Sequence, residues 1–412
     1  FSQQQQWNTR EGMRLFLVEV LEHAGGPDGR ASFRLPEEGD LKSIPQDPGN
    51  PLTQEKVELG KLLFHDRALA VNPKVETSRE TYSCASCHHA AGGFGSGNHQ
   101  GFGEGGGGFG THGEGRSPLP DFDRKLVDAQ PVKTPPALNL NWQSVVLWNG
   151  MLGAKGVNVG TESMWSEDKP TRFNRLGYAG VETQAIVGLM AHRLLDDEHP
   201  EHTQSSAVYK SDQYQGMFDA AFGPEEGFQG INQVTTGLAI AAYERTIMAQ
   251  RAPFQRFLAG EDDAMTDAEV RGAIQFFGSA GCVSCHSGPA LNSNGFYAMG
   301  FADMDQNQDV NPDALELFIV DSDPDANQGR ASFTGKDSDR FTFKVPQLYN
   351  LRDHVAYGHG SSFSTIRAVV DHMNTGESGN DRVSGSETSL NELAMTNDDC
   401  ADISTFIESA LY

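Results

Sequence analysis

Cys84-Ala85-Ser86-Cys87-His88 and Cys282-Val283-Ser284-Cys285-His286 repeat one pattern, Cys-x-x-Cys-His, at two places in the 412-residue chain. The pattern is the attachment signature of c-type haem. Its two cysteines form thioethers to the porphyrin and the adjacent His ligates the iron. A bare Cys-x-x-Cys pair also serves as a zinc half-site or a thioredoxin-like redox pair, and two half-sites can meet in one zinc ribbon. Here His follows directly in both copies, and four of the five cysteines are used. The reading is two covalently bound haem c groups and redox chemistry. Cys84, Cys87, His88, Cys282, Cys285 and His286 are the cofactor-binding residues, with His88 and His286 on the two irons. Cys400 has no partner and is expected as a buried structural thiol near the C-terminal helix.

The length suits two or three domains with sizeable cores. Hydrophobic residues make up 37% of the chain, as in a soluble globular protein. No apolar run approaches the ~20 residues of a membrane span. The chain begins Phe1-Ser2-Gln3, without Met or a signal peptide, and reads as a processed one. Thioether attachment takes place on the oxidising side of a membrane, so a periplasmic or otherwise exported location is expected. A formal charge of −25 argues against nucleic acid as a partner. It suits solubility, or the steering of a basic redox protein.

The spacing predicts a mainly α protein, with two cytochrome c-like haem domains joined in one chain and long irregular loops. Residues 1–50 carry no motif and read as a lead-in. Residues 51–230 would form the N-terminal haem domain and 231–412 the C-terminal one. Val57, Leu59, Leu62 and Leu63 predict a helix over 54–64. Apolar residues at 231, 234, 238 and 240–242 predict another, and a charged helix is expected from Thr266 to Phe277. Each haem motif thus follows a helical segment, a weak internal repeat. Gly92 to Gly115 is dominated by Gly, with Phe94, Phe102 and Phe109 interleaved. Backbone entropy forbids a long regular element there, leaving a loop packed over the first haem or a mobile surface loop. Residues 301–339 read as a long loop. Its Asp321, Asp323 and Asp325 alternate like the start of a calcium loop, but the sixth-place Gly and closing Glu are missing.

Ile366, Val369, Val370 and Met373 fall at i, i+3, i+4 and i+7. That puts Met373 on the buried face of a helix, with His372 about 100° away. A Met so placed is either core or the second axial ligand of the C-terminal iron. Met or His in that role gives an electron-transfer haem, and an open face permits chemistry.

Further segments carry a resemblance: Leu59-Gly60-Lys61-Leu62-Leu63-Phe64-His65-Asp66, Thr134-Pro135-Pro136-Ala137-Leu138-Asn139, Leu147-Trp148-Asn149-Gly150, Ala242-Tyr243-Glu244-Arg245-Thr246 and Ala356-Tyr357-Gly358-His359-Gly360. With the two haem motifs, they make the chain resemble the bacterial dihaem cytochrome c peroxidase superfamily, which includes the MauG-like enzymes, over roughly residues 50 to 412. The resemblance implies a peroxidatic N-terminal haem and an electron-transfer C-terminal haem. It puts the distal Met of the second haem at Met373, where MauG-like members have Tyr. It makes Trp148 the Trp between the haems, and Gln184 the distal-pocket Gln of the first haem. In many relatives a loop His caps the first iron, a place to which His99 and His112 correspond. His89, next to His88, is too close in sequence to reach the far side.

The chain also departs from the family pattern. The family's catalytic Glu lies ten residues after the Gln, and here that position is Leu194. A peroxidase needs a base to take a proton from peroxide and an acid to return it. Leu does neither, and His192 or Glu182 would have to substitute. A segment from Met151 to Tyr178, with Glu162 and Trp165, is longer than the family linker and would reshape the pocket. The family's calcium site uses an Asn where Lys133 stands, whose ammonium can replace part of the ion's charge.

Three functions remain open on these residues. One is reduction of hydrogen peroxide with electrons from a small cytochrome c or copper protein. Another is MauG-like, peroxide-dependent oxidation of Tyr or Trp in a partner protein. The third is a dihaem electron carrier or redox sensor, in which a protein ligand stays on the first iron.

Overall fold

The computed structural model describes residues 9–195, 197–223, 230–306, 326–384 and 387–412. The longer helices among them are α1 (Arg10–Ala24), α2 (Gln54–His65), α3 (Gly180–Ala191), α4 (Asp212–Phe222), α5 (Gln233–Glu244), α6 (Asp267–Phe277), α7 (Ile366–Thr375) and α8 (Asn397–Thr405). Among the described residues, strand is confined to two short antiparallel pairs. β1 (Gly106–Gly107) pairs with β2 (Ser117–Pro118), and β3 (Phe296–Tyr297) with β4 (Phe343–Lys344). The rest is turns, short 3₁₀ segments, a few helices of four to six residues and a π turn at Phe406–Ala410. No helix among the described residues is long and apolar enough to cross a membrane.

All of these helices except α3 begin where a side chain caps them. The Thr53 hydroxyl accepts from Lys56 N at the head of α2, and Asn232 from Thr235 N at the head of α5. Thr266, expected as the first helical residue, is instead the cap of α6 and forms a reciprocal box with Glu269. α2 buries Leu59, Leu63 and Phe64, while Leu62 stays exposed. Each haem motif sits beside one helix crossing. α2 packs on α5 ahead of the first motif, and α6 packs on α8 beside the second. Both crossings are made at a glycine. A Cβ on Gly60 would run into the Ala239 carbonyl, and one on Gly272 into the Asp402 carbonyl. Gly60→Ala is therefore expected to destabilise the protein by about 1–3 kcal/mol, because backbone rather than a flexible side chain must move. Urea denaturation of the haem-loaded protein checks it, and an unchanged midpoint would refute the close crossing.

The packing order differs from the chain order. α5, which opens the C-terminal half in sequence, lies on α2 and α3 of the N-terminal half. α1, in the segment read as a lead-in, packs on α6. One hydrophobic core accordingly runs from Met13 to Leu411. Hydrophobicity alone shows that these helices bury a face, without showing which partner covers it. Cys400 is buried on α8.

The Gly-rich segment is tied down on its buried side. Glu104, fully buried, accepts from the backbone N–H of Lys74 and Val75 and pairs with Arg193 at 2.6 Å. Arg116 donates to the carbonyls of Phe102 and Gly103. Phe109 is exposed at its tip. Asp321, Asp323 and Asp325 lie outside the described residues.

Candidate functional site

The two Cys-x-x-Cys-His segments fold alike. Each opens with a 3₁₀ turn, Cys84–Ser86 or Cys282–Ser284, whose first carbonyl accepts from the His N–H at 2.9 Å. In each, the His ring donates from Nδ1 to a backbone carbonyl a few residues on, His88 to Phe94 and His286 to Leu291, both at 3.0 Å. Those carbonyls belong to residues with left-handed backbone, Phe94 at φ 58° and Leu291 at φ 47°. Non-glycine residues reach this region at a cost, which the ring contact offsets. The hydrogen bond fixes the tautomer and leaves Nε2 to ligate iron. None of the four cysteines is in a disulfide.

Each motif opens on its own cavity. The first encloses ≈ 300 Å³ and is lined by Cys84, Cys87 and His88. The second encloses ≈ 370 Å³ and is lined by Cys282, Cys285 and His286. Two cysteines and an oriented imidazole facing an apolar cavity fit a covalently bound haem, and the arrangement occurs twice. The Gly-rich segment covers the first cavity through Gly101 and Gly103. A Cβ on Gly101 would press on Thr134 and Cys87.

Gln184 lines the first cavity from α3, and His192 lines it from the turn after that helix. His192 Nδ1 donates to Asp128 Oδ2 at 2.8 Å. Asp128 is buried and also accepts from Gln130. Burial works against a charged imidazole, but the Asp128 carboxylate outweighs it and raises His192 above its ordinary 6.5. Leu194 lines the same cavity and is buried. Glu182 does not line it: both its carboxylate oxygens accept from Arg245 at 2.7 Å, and both residues are buried. Of the two candidates for the missing acid–base group, the cavity therefore holds only His192.

His99 and His112 are not among the residues lining the first cavity. The His112 ring donates to the Ala91 carbonyl at 2.7 Å, and the His99 carbonyl accepts from Ser361. Of the 151–178 segment, only Met151 reaches the cavity. Trp165 is buried within the segment, donating to Thr161, and Glu162 is exposed.

In the second cavity, Met373 shares the lining with His286. His372 turns away and donates to the Met299 carbonyl at 2.8 Å. Met299 and Met395 line this cavity too, which the helical periodicity around Met373 did not reveal. Trp148 lines both cavities. Its indole donates to the Lys133 carbonyl at 2.8 Å, and its ring lies 6.2 Å from that of His359. His359 stacks on Phe343 and donates to buried Asp303 at 2.9 Å.

Glu244 is a site residue that its sequence motif gave no reason to single out. It lines the first cavity, is 3% exposed, and its Oε2 has no hydrogen-bond partner. Burial, with Glu182 nearby, pushes its carboxyl from 4.5 up to about 8, so it is neutral at pH 7. Native stability is then fully retained below pH 4.5 and falls as pH rises towards 8. Glu244→Gln is expected to abolish that slope and to stabilise the protein by roughly 3–5 kcal/mol at the alkaline end. Denaturant titrations of both proteins between the two pH values check this. Equal slopes would show that Glu244 is not held neutral.

The comparisons with known proteins agree with this geometry. Residues 54–263 match the di-haem cytochrome c peroxidase family. MauG, the methylamine utilization protein of Methylorubrum extorquens, is 28% identical over 83% of this chain and 74% of its own. The cytochrome-c peroxidase IdrP1 of Denitromonas iodatirespirans is 24% identical over 96% of this chain and 92% of its own. Among solved structures, a MauG-like protein associated with microbial copper homeostasis superposes with a TM-score of 0.61 at 21% identity, covering 91% of this chain and 95% of that one. The diheme peroxidase BthA of Burkholderia thailandensis gives 0.55 at 14% identity, covering 92% and 90%. With two attachment motifs of one geometry, each on its own cavity, the chain belongs to the di-haem cytochrome c peroxidase family of peroxidase-type oxidoreductases, whose cofactors are two haem c.

Proposed function

We propose that this protein reduces hydrogen peroxide in its first cavity, with electrons delivered through the second by a small exported redox protein. The observation that carries the reading is the His192–Asp128 pair lining the cavity beside Gln184. Cys84, Cys87 and His88 would hold a haem here, and its iron would supply the redox chemistry of peroxide reduction. Two electrons and two protons convert peroxide to two waters, so the chain must move protons. Neutral His192 takes the proton that peroxide loses on binding, and the resulting imidazolium returns it to the departing oxygen. Asp128 orients the ring and stabilises its charged form, while the Gln184 amide positions peroxide.

Electrons enter at the site of His286 and Met373 and pass by way of Trp148, a route supported by the Trp148 ring lining both cavities. The acidic chain favours a basic cytochrome c or copper protein as donor. Thioether attachment supports a periplasmic setting. Lys133 brings an ammonium to the place where the resemblance puts a calcium ligand, so the reading needs no calcium.

His192 must be neutral to act as base, so the peroxide reaction should rise with pH through a limb above 6.5. Asp128→Asn removes the charge that raises His192, and the limb should move to lower pH. The pH dependence of the bimolecular rate with peroxide checks this, and an unmoved limb would assign it to another group.

A second reading is oxidation of a partner protein, favoured by Leu194 standing where the family has its Glu. Mixing the all-ferric and then the one-electron-reduced protein with one equivalent of peroxide separates the two. Rapid turnover only after reduction supports the peroxidase. An oxidised state that persists without donor supports the protein oxidase, and silence in both arms overturns both readings.

A further inference from the structure

Lys133 and Lys344 are buried, at 4% and 6% exposure, and both line both cavities. They come from distant parts of the chain and meet at the wall that carries Trp148. The Lys133 carbonyl accepts from the Trp148 indole, and Lys344 N–H donates to the Trp148 carbonyl, both at 2.8 Å. Neither ammonium has a carboxylate partner among the described residues. Lys133 Nζ donates to the Asn98 carbonyl at 3.1 Å. Lys344 Nζ donates to Gln143 Oε1 and, at 3.4 Å, to the Val345 carbonyl. An ammonium carries three donor protons, so each lysine keeps at least one for the cavities.

A buried ammonium without a carboxylate partner is costly to keep charged. Burial with nothing opposite pushes Lys344 down to about 7 and Lys133 to about 8. The chain is strongly acidic overall, yet among the described residues no carboxylate pairs with either ammonium. An anion arriving with what fills the cavities would match them, and a haem carries two propionate carboxylates on one edge.

We propose that Lys133 and Lys344 together seat propionate carboxylates of the two haems at the wall that holds Trp148. The seat turns the polar edges of both cofactors towards each other and cancels the lysine charges. Trp148 then lies between neutralised pairs rather than beside two bare cations, and an electron vacancy on its indole costs less. The inference rests on the two haems and not on peroxide turnover, since a protein oxidase or an electron carrier would hold propionates in the same way.

The test is resonance Raman spectroscopy of the haem-loaded protein, with Lys133→Met and Lys344→Met as variants. The propionate bending bands should move in both and return in Lys133→Arg and Lys344→Arg, and the haem midpoint potentials should fall in the Met variants as a positive charge is lost. Unmoved bands at full haem content overturn the proposal. If the Met variants fail to load haem, a crystal structure of the wild-type haem-loaded protein decides. Both Nζ atoms within about 3 Å of propionate oxygens uphold it. Amines resting on water or chloride overturn it.

Discussion

His192→Gln is expected to slow the reaction of the haem-loaded protein with hydrogen peroxide by about 10²- to 10⁴-fold, the range set by loss of one positioned acid–base group. Gln retains an amide able to donate to Asp128, so the hydrogen bond at Asp128 Oδ2 survives. It has no titrating group, so the proton has no carrier. Leu194 lines the same cavity and offers only an alkyl chain. Glu182 cannot swing in, because both its oxygens are held by Arg245. Stopped-flow mixing under pseudo-first-order conditions measures the rate, and the absorption spectrum reports whether both haems are intact. A rate within threefold of wild type, with intact haems, would remove His192 from the chemistry and turn attention to Glu244, a carboxyl on the same cavity.

Glu182→Gln should act in the opposite way, costing about 3–5 kcal/mol of stability while leaving the peroxide rate of folded protein unchanged. Glu182 is fully buried and Arg245 is 2% exposed. The guanidinium donates from Nε and Nη2 to the carboxylate, and from Nη1 to the Pro45 carbonyl. One pair thereby links α3, the end of α5 and the segment before α2. Neutralising the acid strands a buried cation, which accounts for the size of the loss. Glu182→Leu combined with Arg245→Met should recover much of it, because an apolar pair needs no compensation. Urea denaturation of the single and double variants closes the cycle. A loss under about 1 kcal/mol, the scale of an exposed ion pair, would show that water reaches the pair.

Four of the longer helices, α2, α5, α6 and α7, were legible in the sequence, while α1, α3 and α4 were not anticipated. The apolar spacing of Val57, Leu59, Leu62 and Leu63 anticipated α2, because one buried face per helix is a property of the local chain. The covalent chemistry was legible for the same reason, since five adjacent residues carry it. The packing of α5 on α2 and α3 was not, because periodicity leaves a buried face without a named partner. Met299 and Met395 sit in loops whose periodicity says nothing about facing a cavity.

What the sequence by itself determined is local: the two attachment motifs, helices around them, the acidic charge, and an apolar Leu194 ten residues after Gln184. What only the tertiary structure decided is which polar groups are buried together. Asp128 stands 64 positions from His192, and Glu182 is 63 from Arg245. Lys133 and Lys344 come to one wall from opposite halves of the chain. Glu244 becomes neutral only because the assembled helices exclude water from it. The physical reason is that the strength of a charge, and the cost of leaving it unpaired, depend on burial, and burial is created by residues far apart in the chain.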